Sequence, residues 1–79
     1  MFLGDHIRSL RKEKGLSQEE LGVLADLSTR SVGRIERRLV TPHASTLRRI
    51  AVALGESPDF FWLYIQVPPK RKLRTRQSV

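Results

Sequence analysis

Four arginines, Arg30, Arg34, Arg37 and Arg38, fall within the stretch RSVGRIERR at 30–38, against a single acid, Glu36. A guanidinium is a permanently charged planar fork that suits paired acceptor oxygens and takes no part in proton transfer. On a helix, at about 100° per residue, Arg30, Arg34 and Arg37 share one stripe. Val32 and Ile35 fall roughly opposite, and Gly33 flanks the arginines. The question is what surface such a helix serves. Chemistry of other kinds is scarce. There is no cysteine, hence no disulfide framework, thiol chemistry or zinc finger. His6 and His43 are the only histidines, and no carboxylate cluster joins them, so neither a metal nor another cofactor is expected. No nucleophile–base pair or carboxylate pair stands out, and an enzyme is not the reading.

Charge bears on the answer. The formal net charge is +7, unevenly spread. Residues 70–76, KRKLRTR, hold five basic residues and no acid, whereas the first 69 residues carry a net of only +2. A basic spot and a basic tail together suggest a polyanionic partner, while on charge alone a solvated face with a solubilising tail explains them equally well. At 79 residues the chain makes one small domain, able to bury about 60–65% of its unfolded surface. No apolar run approaches the ~20 residues of a membrane span. The start MFLGDHIRSL is too short and too soon polar for a signal peptide. A cytoplasmic protein with no membrane partner is expected.

The elements that must position the arginines read as five short helices with no strand signal. The first carries Leu3, Ile7 and Leu10 at helical spacing, with Asp5 at its positive end and Gly15 as its stop. The second opens at SQEE, where Ser17 and Glu20 form a capping box, and Leu21 and Leu24 supply its buried edge. The third begins behind Ser28 as N-cap. The fourth runs from about Ala44 to Leu54 on Leu47, Ile50, Ala51 and Leu54, and stops at Gly55. The fifth opens with Ser57 and Pro58 and runs to about Gln66, before Pro68 and Pro69 break it. The domain is placed at residues 1–67 and a flexible basic tail at 68–79.

Between the second and third helices, ADLS leaves room only for a tight bend. Gly22 lets the two helices cross closely, and Asp26 stands where a left-handed turn residue is needed. Val32 and Ile35 pin the third helix to the body, leaving Arg30 and Arg34 facing outward. That is helix-turn-helix geometry, in which the second helix of the pair enters the DNA major groove. Gly33 then keeps the helix bare beside its arginines, so that its axis can approach a groove wall or a base methyl. The alternative is that Gly33 makes room for another helix.

At these residues the chain resembles the Cro/CI-type helix-turn-helix domain of phage repressors and xenobiotic-response-element regulators. The resemblance covers roughly residues 3–63. It is carried by IRSLRKEKGLSQEEL, then S-TRSV-x-RIER, then TP before the fourth helix, then LRRIAVALG, all in order and at the family's spacing. It implies an all-α, five-helix, lambda-repressor-like fold with the helix-turn-helix at helices two and three. Three departures stand out: Gly22 where the family usually has Ala, Asp26 where it has Gly, and His43 where a Ser-like cap is common. The first two weaken local propensity without changing the geometry. The third leaves the cap of helix four open.

The resemblance assigns Thr29, Arg30, Gly33 and Arg34 to base edges, where an arginine suits guanine O6 and N7. It assigns Gln18, Ser28, Ser31, Arg37, Arg38 and Thr41 to phosphates, with the N-terminus of helix four. Arg11 and Glu36 match a buried salt bridge between helices one and three that sets orientation. Arg48 and Arg49 read as solvated on the far side of helix four, His43 as a cap or surface residue and His6 as a surface residue. In helix five, Pro58, Phe61, Trp62 and Ile65 match core positions. Phe60, Leu63, Tyr64 and Val67 form a second apolar stripe that so small a domain cannot cover, which marks an interface. In this family that region commonly forms a two-fold dimer contact. The implied function is a dimeric repressor that binds double-stranded DNA at an inverted-repeat operator and is nucleoid-associated when bound. With no small-molecule effector site evident, its regulation would come from concentration, proteolysis or a protein partner. Two alternatives use the same fold: an antitoxin that also grips a toxin, and an adaptor that binds protein without reading DNA.

Overall fold

The computed structural model describes residues 2–62. They form four helices, α1 (Leu3–Glu13), α2 (Gln18–Ala25), α3 (Thr29–Glu36) and α4 (Ala44–Ala53), with no strand among the described residues. The longest has 11 residues, below the ~12–15 at which an isolated helix becomes even marginal in water. Packing therefore holds them. Ile7 of α1, Leu21 and Ala25 of α2, Val32 and Ile35 of α3, and Leu47, Ile50 and Ala51 of α4 meet in one core, closed by Leu54 and Phe61. Helix α2 packs on α3 and α4, and α1 packs on α3.

Local chemistry sets the helix ends. Ser17 Oγ accepts from the Glu20 N–H at 3.0 Å, and the Glu20 carboxylate accepts from the Ser17 N–H at 2.8 Å, satisfying two donors that the helix start leaves free. Asp26 closes α2 in the left-handed region at φ 58°, ψ 50°. The chain then doubles back so tightly that the Leu27 N–H reaches the Gly22 carbonyl at 2.7 Å. A Cβ at Gly22 would lie 2.6 Å from the Leu27 carbonyl oxygen. An alanine here would force the turn to shift, so the glycine permits this close approach even though it lowers the helix propensity of α2. Gly4 does the same for α1, since a Cβ there would collide with the Ile35 carbonyl oxygen of α3.

Four sequence expectations, those for Leu24, Pro58, Trp62 and Arg49, are corrected. Leu24 does not share the buried edge of α2 but is largely exposed, because α2 is covered only through Leu21, Gly22 and Ala25. Residues 57–62 turn through i to i+3 hydrogen bonds, Phe60 to Ser57 at 2.9 Å and Trp62 to Asp59 at 2.8 Å. This tight winding buries Phe61 but leaves Pro58 exposed and Trp62 about half exposed, at 52%, so neither Pro58 nor Trp62 is a core residue. Trp62, the last described residue, is helical, and the remainder of the expected fifth helix lies outside the described residues, which contain four complete helices. Arg49 is not merely solvated: its Nε donates to the Ala25 carbonyl at 2.9 Å, fastening α4 to the C-terminal end of α2 where carbonyls lack helical partners. His6 packs its ring on Phe60 and Phe61 at centroid distances of 5.7 and 5.6 Å.

Helix α3 ends in a Schellman turn. The Arg38 N–H donates to the Ile35 carbonyl at 3.0 Å, and the Leu39 N–H to the Arg34 carbonyl at 2.9 Å. This places Arg38 in the left-handed region at φ 65°, a position that favours glycine and costs other residues about 1–2 kcal/mol. Arg38→Gly is therefore expected to be more stable than Arg38→Ala by about 1 kcal/mol, because only glycine relieves the backbone. Urea denaturation of the two variants makes the comparison. Equal midpoints would mean that the turn relaxes away from the left-handed conformation.

Candidate nucleic-acid interface

Helix α3 carries the site, and its two sides have separate tasks. Val32, Gly33, Ile35 and Glu36 are buried. Thr29, Arg30 and Arg34 are exposed on the opposite side, and neither arginine forms an ion pair among the described residues. Ser28 caps the helix, its Oγ accepting from the Ser31 N–H at 3.0 Å and donating to Ser31 Oγ at 3.0 Å. Ser28 is thereby occupied within the helix start, whereas the Ser31 hydroxyl keeps its own proton to donate outward.

Beneath the helix, Arg11 and Glu36 form a bidentate pair. Arg11 Nε donates to Glu36 Oε2 at 2.7 Å and Nη2 to Oε1 at 3.1 Å, with side chains only 9% and 2% exposed. The remaining guanidinium nitrogen, Nη1, donates to the Leu16 carbonyl at 2.7 Å. The hydrogen bond to Glu36 is the main reason the Arg11 guanidinium is held above its ordinary pKa, with Glu36's charge adding to it and burial opposing. Gln18 completes the arrangement, its Nε2 donating to Glu36 Oε1 at 3.0 Å. One carboxylate thus ties together α1, the start of α2 and the end of α3. Such a network fixes orientation more than it adds net stability.

The side chains assigned to phosphate are placed differently from one another. Gln18 directs one hydrogen of its amide NH2 inward to Glu36, so an outward contact to a phosphate falls to its second amide hydrogen or its backbone N–H. Arg37 is exposed. Its guanidinium runs back over Gly33, where an added Cβ would lie 3.2 Å from Nη1. The same Cβ would lie 3.6 Å from Gln18 Oε1. Gly33 is therefore not a bare strip on the outer face, as its spacing suggests, but a covered floor beneath Arg37 and Gln18. Arg38 turns toward the chain's N-terminal end, with Cζ 4.3 Å from the Phe2 ring centroid and Nε 4.0 Å from Asp5 Oδ1. Thr41 is exposed. His43 precedes α4 in an extended conformation and makes no side-chain cap bond, which leaves the first N–H groups of α4 without that partner.

Of the apolar stripe assigned to a dimer contact, Phe60 is at the surface and packs edge-on against Phe61 at 5.1 Å. Leu63, Tyr64 and Val67 lie outside the described residues, as does the basic stretch 70–76. Sequence reasoning misses Phe2 and Arg49. The Phe2–Arg38 stack depends on a left-handed turn that arginine does not advertise, and Arg49 shows no sequence sign that a carbonyl lies within its reach. Among the described residues no group of three His, Cys, Asp or Glu could hold a metal ion, and no helix is long and apolar enough to cross a membrane.

Comparison with known proteins matches this geometry. The helix-turn-helix family model covers residues 7–61. The immunity repressor protein of Bacillus phage phi105 is 42% identical over 55 residues, which are 70% of this chain but only 38% of that repressor. The HTH-type transcriptional regulator y4dJ of Sinorhizobium fredii (strain NBRC 101917 / NGR234) is 38% identical over 56 residues, 71% of this chain and 73% of that protein. Among solved structures, the restriction-modification controller protein C.AhdI from Aeromonas hydrophila superposes with a TM-score of 0.68 at 38% identity, covering 70% of this chain and 83% of that one. The P22 c2 repressor, solved with synthetic operator 9T, gives 0.69 at 30% identity over 76% of this chain and 91% of its own. With the family model spanning well over half of the sequence and the turn and the N-caps of α2 and α3 in place, the chain belongs to the Cro/CI-type helix-turn-helix family of DNA-binding transcription regulators.

Proposed function

We propose that the protein is a repressor that binds an inverted-repeat operator as a homodimer and acts by occluding a promoter. The observation that carries this reading is the outer face of α3. Thr29, Arg30 and Arg34 stand free there, while Arg11, Glu36 and Gln18 lock the opposite side to the body. In this reading those three side chains meet base edges in the major groove, the arginines favouring guanine. Ser31, Arg37, Thr41 and the start of α4 take phosphates and fix the register. Gln18 adds its backbone N–H, and Ser28 and Arg38 act chiefly by shaping the two ends of α3. The solved P22 c2 repressor–operator complex supports a duplex DNA partner. The apolar stripe beginning at Phe60 supports the dimer.

Selection of bound sites from a random duplex pool, followed by sedimentation of the protein alone and with the winning site, tests the proposal. The expected product is a two-fold symmetric consensus whose half-sites lie about one helical turn apart, bound by two chains. No enrichment over the starting pool would overturn sequence-specific binding. A chain that stays monomeric at concentrations saturating its site would overturn the dimer.

A further inference from the structure

Gly33 is costly where it stands. A glycine inside a helix is less favourable than alanine, and two ordinary reasons for keeping one are missing. Its backbone is not left-handed, unlike that of Gly15 and Gly55. Nor does other backbone press against it: an added Cβ at Gly4 or Gly22 would strike a carbonyl oxygen, but at Gly33 the close atoms all belong to side chains. They are Arg37 Nη1 at 3.2 Å, Gln18 Oε1 at 3.6 Å and Arg37 Cζ at 3.8 Å. The space left by the missing side chain is filled by the Arg37 guanidinium.

Arg37 is otherwise uncommitted. It has no carboxylate partner among the described residues, whereas Arg38 beside it is engaged with Phe2 and Asp5. Gln18, whose Oε1 would also lie 3.6 Å from a Cβ at Gly33, is held by its bond to Glu36. A long flexible cation normally loses rotamer freedom when it binds a phosphate, and a preformed seat reduces that loss.

We propose that Gly33 is a positioning residue: its bare Cα leaves the seat over which the Arg37 guanidinium folds and so presets that cation for a DNA phosphate. This rests on the DNA-binding reading above and replaces a direct base contact by Gly33. Gly33 then governs how tightly any duplex is held, and it does so only through Arg37.

The test uses the full chain as wild type, Gly33→Ala, Gly33→Leu, Arg37→Ala and the Gly33→Leu/Arg37→Ala double variant. Affinity is measured against salt for the selected operator and for scrambled duplex. Side-chain Nε–H relaxation of Arg37 in the DNA-free protein reports its order directly. Gly33→Ala should raise the denaturation midpoint yet weaken both duplexes by a similar factor. Gly33→Leu should approach the loss caused by Arg37→Ala, about tenfold for one charge-assisted hydrogen bond. Its salt slope should be shallower by about 0.9, and Arg37 should become mobile. In the Arg37→Ala background, Gly33→Leu should have no further effect. Continued weakening in that background, or a loss confined to the operator, would overturn the proposal in favour of direct approach of α3 to the bases. An Arg37 side chain equally mobile in wild type and Gly33→Leu would also overturn it, even with DNA binding intact. Absence of wild-type binding to either duplex would remove the DNA reading and this inference together.

Discussion

Glu36→Ala is expected to destabilise the domain by about 3–5 kcal/mol, the loss typical of breaking a buried pair from one side. The substitution removes the acceptor of two Arg11 hydrogen bonds and of the Gln18 amide. The Arg11 charge would remain in a pocket where its side chain is only 9% exposed, with the neutral Leu16 carbonyl still accepting from Nη1 but no negative charge to balance it. A domain of this length has a total stability of about 5–10 kcal/mol, so the variant should lie close to unfolding at ambient temperature. Urea denaturation followed by circular dichroism measures the loss. A change below about 1 kcal/mol would place the pair among exposed ion pairs and contradict its burial. Replacing both partners, as in Arg11→Met with Glu36→Leu, should recover much of the stability, because no charge is then left buried. Orientation of α3 would be loosened, so the recovered fold should bind DNA less selectively.

The second large effect concerns reading as distinct from gripping. Arg34→Ala, or Arg30→Ala, is expected to remove discrimination at one base pair, worth roughly 1–3 kcal/mol. Each should leave affinity for scrambled duplex less affected. The basic residues Lys70, Arg71, Lys72, Arg74 and Arg76 follow Pro68 and Pro69 and carry no periodic apolar pattern. Deleting 70–79 should weaken operator and scrambled DNA by similar factors. It should also flatten the salt dependence by about 0.9 for every phosphate that the shortened chain no longer neutralises. The measurement is affinity against salt for both duplexes. If the deletion abolishes operator preference while Arg34→Ala preserves it, the division of labour between helix and tail is reversed.

Much of this architecture can be read from the chain because it depends on local chemistry. Ser17 with Glu20, Ser28 before α3, and Asp26 at the bend act within a few residues of themselves. The spacing of Val32 and Ile35 alone fixes which side of α3 faces inward. What escapes a reading of the sequence depends on elements distant in the chain. Leu24 sits at a spacing from Leu21 that would bury it on a wider interface, but α3 and α4 leave that edge of α2 uncovered. Arg49 looks solvated until α4 is laid beside the end of α2, where the Ala25 carbonyl waits for a donor. Arg38 adopts a backbone conformation that its residue type disfavours, so no propensity argument reaches it. Gly33 is visibly unusual in a helix, but whether its missing side chain faces DNA or protein is decided by Arg37 folding back along the helix.

The two-sidedness of α3 bears on how such a protein can change its target over time. Thr29, Arg30 and Arg34 make no ion pair or core contact among the described residues. Exchanging them should alter folding stability by no more than about 0.5 kcal/mol. Mutational drift at these positions is therefore not purged for instability, whereas Gly4, Gly22 and Glu36 are held in place by backbone approach and buried charge. In the two-fold dimer proposed above, one codon change at Arg34 appears in both recognition helices at once. A new preference then takes the protein a single substitution, while a matching operator must change at two symmetric base pairs. Divergence of regulators built on this frame should therefore be limited by the pace at which their binding sites follow.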